Sequence, residues 1–384
     1  MPADTFLATR NPVMSLRQKV WQLNWGMMLL LCLVAGVGFS MLYSAANGSF
    51  TPWASAQMMR FGVGFVLMIV AALIDIRFWL RYAYLIYFSS LALLGAVEIM
   101  GDIGMGAQRW IDLGFVRLQP SEMMKVALIL ALARYFHGLS GEEVGRPTLL
   151  LVPMAMAFAP AALVMKQPDL GTAGMLLMGG GAVFFAAGVR LWKFALLLAL
   201  GLASGPIAWG FLHDYQKDRV LTFLNPENDP LGAGYHTLQA MIGFGSGGLT
   251  GKGFMQGTQS QLNFLPEKQT DFIFTMLAEE FGLVGSLTLL TLYFLLICYG
   301  YAIAFRARSQ FARLLALGLT TNLFFYVSIN MAMVMGLFPV VGIPLPLVSY
   351  GGTVLLTVMG SMGLVMSCYI HRDVRISRRG TPEG

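Results

Sequence analysis

The amino-acid sequence predicts an all-α polytopic membrane protein that forms a single membrane domain over residues 1–384. Of these residues, 57% are hydrophobic and only 11% are charged, and the mean hydropathy is +0.69. A soluble domain is typically about 25% charged, so this chain has too little charge to cover a soluble surface of its size. The composition therefore excludes an ordinary cytosolic enzyme, a disordered chain and a nucleic-acid-binding domain.

About ten apolar runs are the candidate transmembrane helices, since a helix needs about 20 apolar residues to cross a bilayer. They lie at about 26–45, 57–75, 79–100, 121–136, 147–165, 170–188, 191–212, 272–304, 312–337 and 350–371. The first run is longer than the apolar region of a signal peptide, which is about 7–15 residues. We therefore expect it to be retained as a span.

The positions of the basic residues predict that both termini are cytoplasmic. With the N-terminus inside, sixteen of the 25 Lys and Arg residues lie in inner loops or in two cytoplasmic tails, residues 1–25 and 372–384. This excess is what the positive-inside rule describes. The other nine lie on the outer side, where a substrate site should be sought: Arg60, Arg109, Arg117, Lys125, Lys166, Lys217, Arg219, Lys252 and Lys268.

The first long outer segment, residues 101–119, leads into a span that begins at Pro120 and Ser121. Glu122 and Lys125 follow with an i, i+3 spacing, which places them on one helical face. Ionisable groups at this depth are expensive and usually pair or face a cavity. Two interpretations are open: a mutual ion pair that locks helix packing, or a polar cavity wall that binds an anionic head group.

The longest outer loop, residues 213–270, connects the seventh and eighth spans and contains a glycine-rich stretch at 243–257. This stretch lacks the G-x-x-x-x-G-K-[ST] pattern of a nucleotide-binding loop. Its backbone could present N–H groups to a diphosphate, or the stretch could simply be a flexible outer loop.

Three acidic residues mark the start of the eighth span. A carboxylate at a helix N-terminus is stabilised by the helix dipole, so Asp271 could cap its own helix. The alternative is a carboxylate held at the membrane boundary as a general base. Glu279 and Glu280 lie deeper in the same span, where they are expected to face a partner or a cavity. Asn330, in another span, is expected to form hydrogen bonds between helices.

Two further segments interrupt the apolar pattern. Lys166 and Asp169 flank Pro168 in the sequence KQPDLGT, which predicts a turn or a re-entrant kink. Residues 338–352 contain three prolines and three glycines, so they cannot form a regular helix throughout. Non-helical backbone at membrane depth is tolerated where it is buried or lines a wet cavity. This segment is therefore either the wall of a site or a plain outer loop.

Taken together, these segments resemble the SEDS family (shape, elongation, division and sporulation) over about residues 20–372. The motifs that carry the resemblance are GAQRWIDLGFVRLQPSEMMKVAL at 106–128, KQPDLGTA at 166–173, DPLGAGYHTLQAMIGFGSGGLTGKG at 229–253, GTQSQLNFLPEKQTDFIFTMLAEEFGLVG at 257–285 and GLFPVVGIPLPLVSYGG at 336–352. The SQLNFLPE and DPLGAGYH forms favour the elongation branch over the division paralogue.

The resemblance implies a peptidoglycan glycosyltransferase that polymerises lipid II at the outer face of the inner (cytoplasmic) membrane, for cell elongation and rod shape. In that reaction the growing chain carries undecaprenyl diphosphate as its leaving group, and the acceptor is the GlcNAc 4-hydroxyl of another lipid II. Asp271, in the TDFIF motif, is implied to be the catalytic residue. Gln269 departs from the family, which commonly has His there.

The substrate-binding residues combine the outer cations with the QRW and SE-x-x-K motifs of the family. We expect this group to be Arg109, Trp110, Arg117, Glu122, Lys125, Lys166 and Asp169. Because carboxylates and a diphosphate share the site, Mg²⁺ or Mn²⁺ is a candidate cofactor. No histidine spacing predicts a protein metal site, and no organic cofactor is expected.

The resemblance implies a class B penicillin-binding protein, a transpeptidase, as a partner within the elongation machinery. Two alternative functions stay open. One is a lipid II flippase, because broken helices and charges within spans are typical of transporters, and Glu279 and Glu280 favour it. The other is a non-catalytic membrane partner of the penicillin-binding protein.

Overall fold

The computed structural model describes residues 14–104, 107–112, 117–211, 214–225, 233–262, 264–265 and 267–377. Most of the expected N-terminal tail and residues 378–384 of the expected C-terminal tail lie outside this part of the chain. The helices are α1 Leu16–Trp21, α2 Trp25–Ala45, α3 Trp53–Leu73, α4 Ile76–Met100, α5 Pro120–His137, α6 Pro147–Lys166, α7 Leu170–Ala187, α8 Leu191–Ala203, α9 Gly205–Phe211, α10 Asp214–Leu224, α11 Ala233–Ser246, α12 Thr258–Gln261, α13 Ile273–Arg306, α14 Gln310–Val334 and α15 Gly352–Ile370.

The all-α polytopic fold is confirmed. Among the described residues, eight helices are long and apolar enough to cross a membrane: α2, α3, α4, α6, α7, α13, α14 and α15. The other two predicted spans correspond to α5 and to the consecutive helices α8 and α9. Helix α5 carries Glu122, Lys125 and Arg134, while α8 and α9 have 13 and 7 residues. Helices α14 and α15 are the most buried of the eight.

Short polar side chains begin several of these helices, as capping requires. The side chain of Asn24 accepts a hydrogen bond from the Met27 N–H at the start of α2. Ser309 does the same for the Ala312 N–H at the start of α14. These caps satisfy backbone donors that would otherwise lie unpaired at the ends of the spans.

The basic residues assigned to the cytoplasmic side contact the ends of neighbouring helices there. The Lys19 ammonium donates to the Leu73 carbonyl at the end of α3, at 2.9 Å. The Arg134 guanidinium, near the end of α5, donates to the carbonyls of Leu80 and Arg81 in α4, at 2.9 and 2.6 Å. The helix ends that the charge distribution predicted to be cytoplasmic therefore lie together on one face of the bundle.

The outer face carries the regular structure outside the spans. A three-stranded antiparallel sheet, in the order β1-β2-β3, is formed by β1 Asp102–Gly104, β2 Ala107–Asp112 and β3 Arg117–Leu118. Much of the described part of the 213–270 loop is helical, in α10, α11 and α12. Helix α11 packs against α13, so this connection is built onto the bundle rather than being a plain flexible loop.

Candidate active site at the outer ends of α13 and α14

A turn over residues 267–272 carries Asp271 to the outer start of α13. Helix α13 begins at Ile273, and its N-cap position is Phe272. The position that a capping Asp would take is therefore occupied by a phenylalanine. The Asp271 carboxylate instead lies beside Gly342, where an added Cβ would be 3.6 Å from Oδ2.

Asn330 fixes the backbone of this turn from α14. Its Nδ2 donates to the carbonyl oxygen of Asp271 at 3.0 Å and to that of Ile343 at 2.8 Å. One buried amide thus joins the catalytic candidate to the irregular segment 338–352. The expectation that Asn330 bonds to another helix is therefore wrong, because its partners lie in the Asp271 turn and in the irregular segment.

The end of segment 338–352 is bonded to the same turn. The Ser349 hydroxyl donates to the Thr270 carbonyl at 2.6 Å, and the Tyr350 N–H donates to the Gln269 carbonyl at 2.8 Å. These two bonds, together with those of Asn330, hold the backbone of the Asp271 turn. The segment is therefore a wall of the site, which is one of the two alternatives drawn from its prolines and glycines.

Helix α3 supports this wall with two side chains that sequence reasoning did not assign to the site. Gln57 is fully buried; its Nε2 donates to the Ser349 carbonyl at 2.9 Å, and its Oε1 accepts from the Gly351 N–H at 3.3 Å. The Arg60 guanidinium lies 4.7 Å from the centre of the Tyr350 ring, within cation–π range. In the sequence, Gln57 is marked only as a single amide side chain in an apolar run, which does not indicate a role in the site.

Arg109, on β2, reaches the turn between α6 and α7. Its guanidinium donates to the carbonyls of Gln167, at 3.3 Å, and Pro168, and its Nε lies 3.7 Å from Asp169 Oδ2. Asp169 is the N-cap of α7 and accepts from the N–H and hydroxyl of Thr172, at 3.0 and 2.9 Å. The predicted turn in KQPDLGT is thus confirmed, with Asp169 as its capping residue.

The turn that contains Asp169 and the turn that contains Asp271 both pack against residues 341–342. Gly171 packs so closely on Val341 that an added Cβ would lie 2.9 Å from the Val341 carbonyl oxygen. The following residue, Gly342, is the neighbour of the Asp271 carboxylate. The structure therefore gathers Arg109, Asp169 and Asp271 around residues 341–342.

Glu122, Lys125 and Tyr326 form a closed, buried triad. Lys125 Nζ lies 2.7 Å from Glu122 Oε1, and the Tyr326 hydroxyl contacts both side chains. The three residues are 3%, 3% and 2% exposed, so the geometry is that of the mutual ion pair. Their role in substrate binding stays a prediction. Tyr326 lies one helical turn before Asn330 on α14, so the triad neighbours the Asp271 turn.

Three other predicted substrate-binding residues are more accessible. The Arg117 guanidinium lies 3.3 Å from Asp112, with side chains 75% and 38% exposed, so solvent screens the pair. The Arg117 carbonyl accepts from the Thr353 hydroxyl at 3.0 Å, which joins β3 to α15. Trp110 is partly exposed on β2, and Lys166 is exposed at the outer end of α6.

The glycine-rich stretch packs its backbone against a break in α13. Gly282 interrupts that helix with φ +63° and ψ −155°. The N–H groups of Lys252 and Gly253 donate to the carbonyls of Glu279 and Glu280, both at 3.0 Å. These two N–H groups are therefore already bonded to α13, and a phosphate cradle would have to use other parts of the stretch.

The Glu279 side chain anchors the same loop. Its Oε1 accepts from Lys252 Nζ at 2.7 Å, from the Thr258 hydroxyl at 3.1 Å and from the Gln259 N–H at 3.0 Å. The carboxylate is fully buried, and this set of donors compensates for its lost hydration. Sequence reasoning left its partner open, and the partner is the outer loop.

Glu280 faces a different neighbour. Its Oε1 accepts from the hydroxyl of Ser44, at the outer end of α2, at 2.5 Å. Burial lowers the pKa of Lys268, within the Asp271 turn, and the Glu280 carboxylate partly offsets that effect. Both glutamates thus tie outer elements together, so these two charges no longer favour a transport path.

Comparison with known proteins agrees with this architecture. The FTSW_RODA_SPOVE model of cell cycle proteins matches residues 19–374. The chain is 47% identical over 350 residues to peptidoglycan glycosyltransferase MrdB of Escherichia coli strain K12, covering 90% of this chain and 94% of that protein. It is 33% identical to the probable peptidoglycan glycosyltransferase FtsW of Escherichia coli O6:H1, covering 90% and 85%.

Two solved structures share the fold. One is a chain of a peptidoglycan synthase complex that coordinates polymerization and crosslinking, with 32% identity, a TM-score of 0.79 and coverage of 91% of this chain and 98% of that one. The other is the rod shape determining protein RodA of Thermus thermophilus, with 29% identity, a TM-score of 0.69 and coverage of 91% and 97%. The chain therefore belongs to the FtsW, RodA and SpoVE family of polytopic membrane proteins, the SEDS family.

Proposed function

We propose that this chain is a peptidoglycan glycosyltransferase that polymerises lipid II at the outer face of the cytoplasmic membrane, for cell elongation and rod shape. The observation that carries the proposal is Asp271, a carboxylate whose backbone is fixed by Asn330 and by the bonded 338–352 wall. The identity with the peptidoglycan glycosyltransferase MrdB supports this activity, and the likeness to RodA, a rod shape determining protein, supports the role in rod shape.

Glycosyl transfer to a hydroxyl needs a general base within hydrogen-bond reach of the acceptor. Asp271 takes the proton of the GlcNAc 4-hydroxyl while that oxygen forms a bond to the anomeric carbon of the donor. The bond between this carbon and the diphosphate oxygen breaks, and undecaprenyl diphosphate leaves with the bonding electrons. The reaction therefore requires both a base and a stabilised anionic leaving group.

Positive charge near the diphosphate stabilises the leaving group as its charge develops. We assign this role to Arg109, Arg117 and Lys166, whose side chains are at least partly exposed. Asp169 orients Arg109 from the α7 N-cap. Substrate binding by Trp110, beside Arg109, and by Glu122 and Lys125 belongs to the same proposal.

The decisive change is Asp271→Asn, which removes the base and keeps the size of the side chain. We expect polymerisation of lipid II by the purified chain to fall by about 10²–10⁴-fold, the range that general base catalysis contributes. Insertion and thermal stability should match the wild type. Asp218→Asn, the same change at an exposed position on α10, is the control and should keep full activity. Near-normal glycan synthesis by Asp271→Asn would refute the assignment.

A divalent cation is a separate part of the proposal. Across the part of the chain that the structure describes, no group of three or more His, Cys, Asp or Glu side chains could hold a metal ion. Mg²⁺ or Mn²⁺ would therefore take its oxygen ligands mainly from the diphosphate and water, with few from the protein, as Mg²⁺ does with substrate phosphates. The ion would neutralise charge on the leaving group.

We expect EDTA to abolish polymerisation and excess Mg²⁺ or Mn²⁺ to restore it. The thermal stability of the chain without lipid II should not change, because the ion arrives with the substrate. Full activity after extensive chelation would remove the cation from the proposal.

We propose a class B penicillin-binding protein as the partner, within the elongation machinery. The support is the likeness to a chain of a peptidoglycan synthase complex. The same lipid II assay also separates the alternatives of a flippase and a non-catalytic partner. With lipid II supplied on the accessible side, only a polymerase forms glycan, and neither alternative predicts loss on Asp271→Asn.

A further inference from the structure

A cavity of about 770 Å³ opens on the cytoplasmic side, opposite the proposed active site. It lies between the end of α5, the connection from α13 to α14 and the segment that follows α15. The side chains that matter here are His137, Arg308, Arg313 and Arg375, with Ser309 and Gln310 at the start of α14. Three distant parts of the sequence thus contribute basic residues to one cavity.

The positive charge in the cavity exceeds the acidic charge that faces it. Arg308 lies 3.5 Å from Asp373, and the same carboxylate also lies 3.8 Å from Arg372. Arg313 and Arg375 are exposed and have no acidic partner among the residues that the structure describes. One carboxylate is therefore shared by two arginines, and two further guanidinium groups are left to face solvent.

The start of α14 adds to this positive potential. Ser309 is its N-cap and Gln310 its first residue, and a helix N-terminus carries a partial positive charge. Cations are favourable at helix C-termini and not at N-termini, yet Arg308 and Arg313 flank this one. The positive-inside rule explains why arginines occur in this loop, but it does not require them to converge on a cavity at a helix N-terminus.

We propose that this cavity binds a phosphate-bearing anion, and that its source is the head group of an anionic phospholipid in the inner leaflet. The lining elements are ends of membrane-spanning helices, so the cavity lies at the level of lipid head groups. Basic pockets between helices on the cytoplasmic side bind such head groups, and planar guanidinium groups suit phosphate oxygens. The volume also suits a glycerophosphate group, since ligand pockets are about 300–1,000 Å³.

The test uses the full chain, purified in a neutral detergent and studied by native mass spectrometry. Phosphatidylglycerol is titrated against phosphatidylcholine of the same chain length, and glycerol 3-phosphate is titrated as the soluble source. The variant Arg313→Gln/Arg375→Gln removes two exposed charges from the cavity. The control Arg146→Gln/Arg190→Gln removes two exposed charges from the same face, outside the cavity.

We expect phosphatidylglycerol to bind more tightly than phosphatidylcholine, and the cavity variant to weaken its binding on the order of tenfold. The control should bind as the wild type does. Unchanged phosphatidylglycerol binding by the cavity variant would overturn the site, as would an equal loss in the control. Glycerol 3-phosphate binding as tightly as phosphatidylglycerol would overturn the lipid as the source.

Discussion

At the scale of single residues, Glu122 and Lys125 show what burial does to a charged pair. Each ion loses its hydration on entering the bundle, and the pair is tolerated because the partners are close and Tyr326 contacts both. Removing one partner of such a pair leaves an uncompensated buried charge, which is far more costly than removing both. A single variant and a double variant of the pair can therefore separate its two interpretations, a lock on helix packing or a wall that binds the substrate.

We expect Lys125→Met to destabilise the chain by about 3–5 kcal/mol, because Glu122 is left buried without its cation. Glu122→Gln/Lys125→Met should recover much of this loss, since a neutral amide can still accept from Tyr326. The midpoint of thermal unfolding in detergent measures the effect. If the pair only locks helix packing, polymerisation should return with stability and with an unchanged KM for lipid II. A stable double variant with a raised KM would instead support binding of the substrate.

Sequence reasoning found the site residues that are unusual in their own surroundings. Asp271, Arg109 and Asp169 stand out because charges are rare in this chain, and the structure gathers them around residues 341–342. Tyr326 and Gln57 were not assigned to the site, since an aromatic or amide side chain in a span gives little signal by itself. Their roles follow from tertiary partners, which local sequence does not specify.

At the scale of elements, the break in α13 and the glycine-rich stretch depend on each other. Gly282 leaves the helix, and the N–H groups of Leu283 and Val284 donate to the carbonyls of Gly248 and Leu249, at 3.0 and 3.1 Å. The backbones approach so closely that side chains would not fit. The eighth span was predicted as one run, because an apolar pattern does not show where a helix is interrupted.

Gly247→Ala tests this close approach. An added Cβ would lie 2.0 Å from the Ala278 carbonyl oxygen, so the loop or the helix must move, at a cost of about 1–3 kcal/mol. We expect a lower unfolding midpoint and faster proteolysis of the outer loop. Gly245→Ala is the matched control, because nothing lies within 4 Å of its added Cβ and alanine favours a helix. Equal stability of the two variants would show that the packing is unimportant.

At the scale of the whole molecule, composition and charge predicted the fold class and the spans well. Both are global properties, since the bilayer imposes span length and the charge distribution imposes orientation. Ten spans were predicted, and the number depends on two that are not both long and apolar: α5 and the pair α8 and α9. Helix α5 is charged because its outer end contributes to the triad, and α8 and α9 together must cross where neither is long enough alone.

The crossing by α8 and α9 decides on which side the α10–α12 region lies. Their 13 and 7 residues rise about 30 Å in total at 1.5 Å per residue, which matches the hydrocarbon core. If they cross, Asp218 on α10 lies outside, together with Lys166. If they do not cross, Asp218 lies inside with Arg146. The connection that leads into α13 would then be cytoplasmic, and α13 would begin on the cytoplasmic side.

Single cysteines at these exposed positions separate the two arrangements. In a background where Cys32, Cys298 and Cys368 are replaced by alanine, a membrane-impermeant maleimide should label Asp218→Cys and Lys166→Cys in right-side-out vesicles. It should label Arg146→Cys only in inside-out vesicles. Labelling of Asp218→Cys with the pattern of Arg146→Cys would place α10 in the cytoplasm. That result would put the start of α13 on the cytoplasmic side, although Glu280 near this start bonds to Ser44 at the outer end of α2, so we expect the outer pattern.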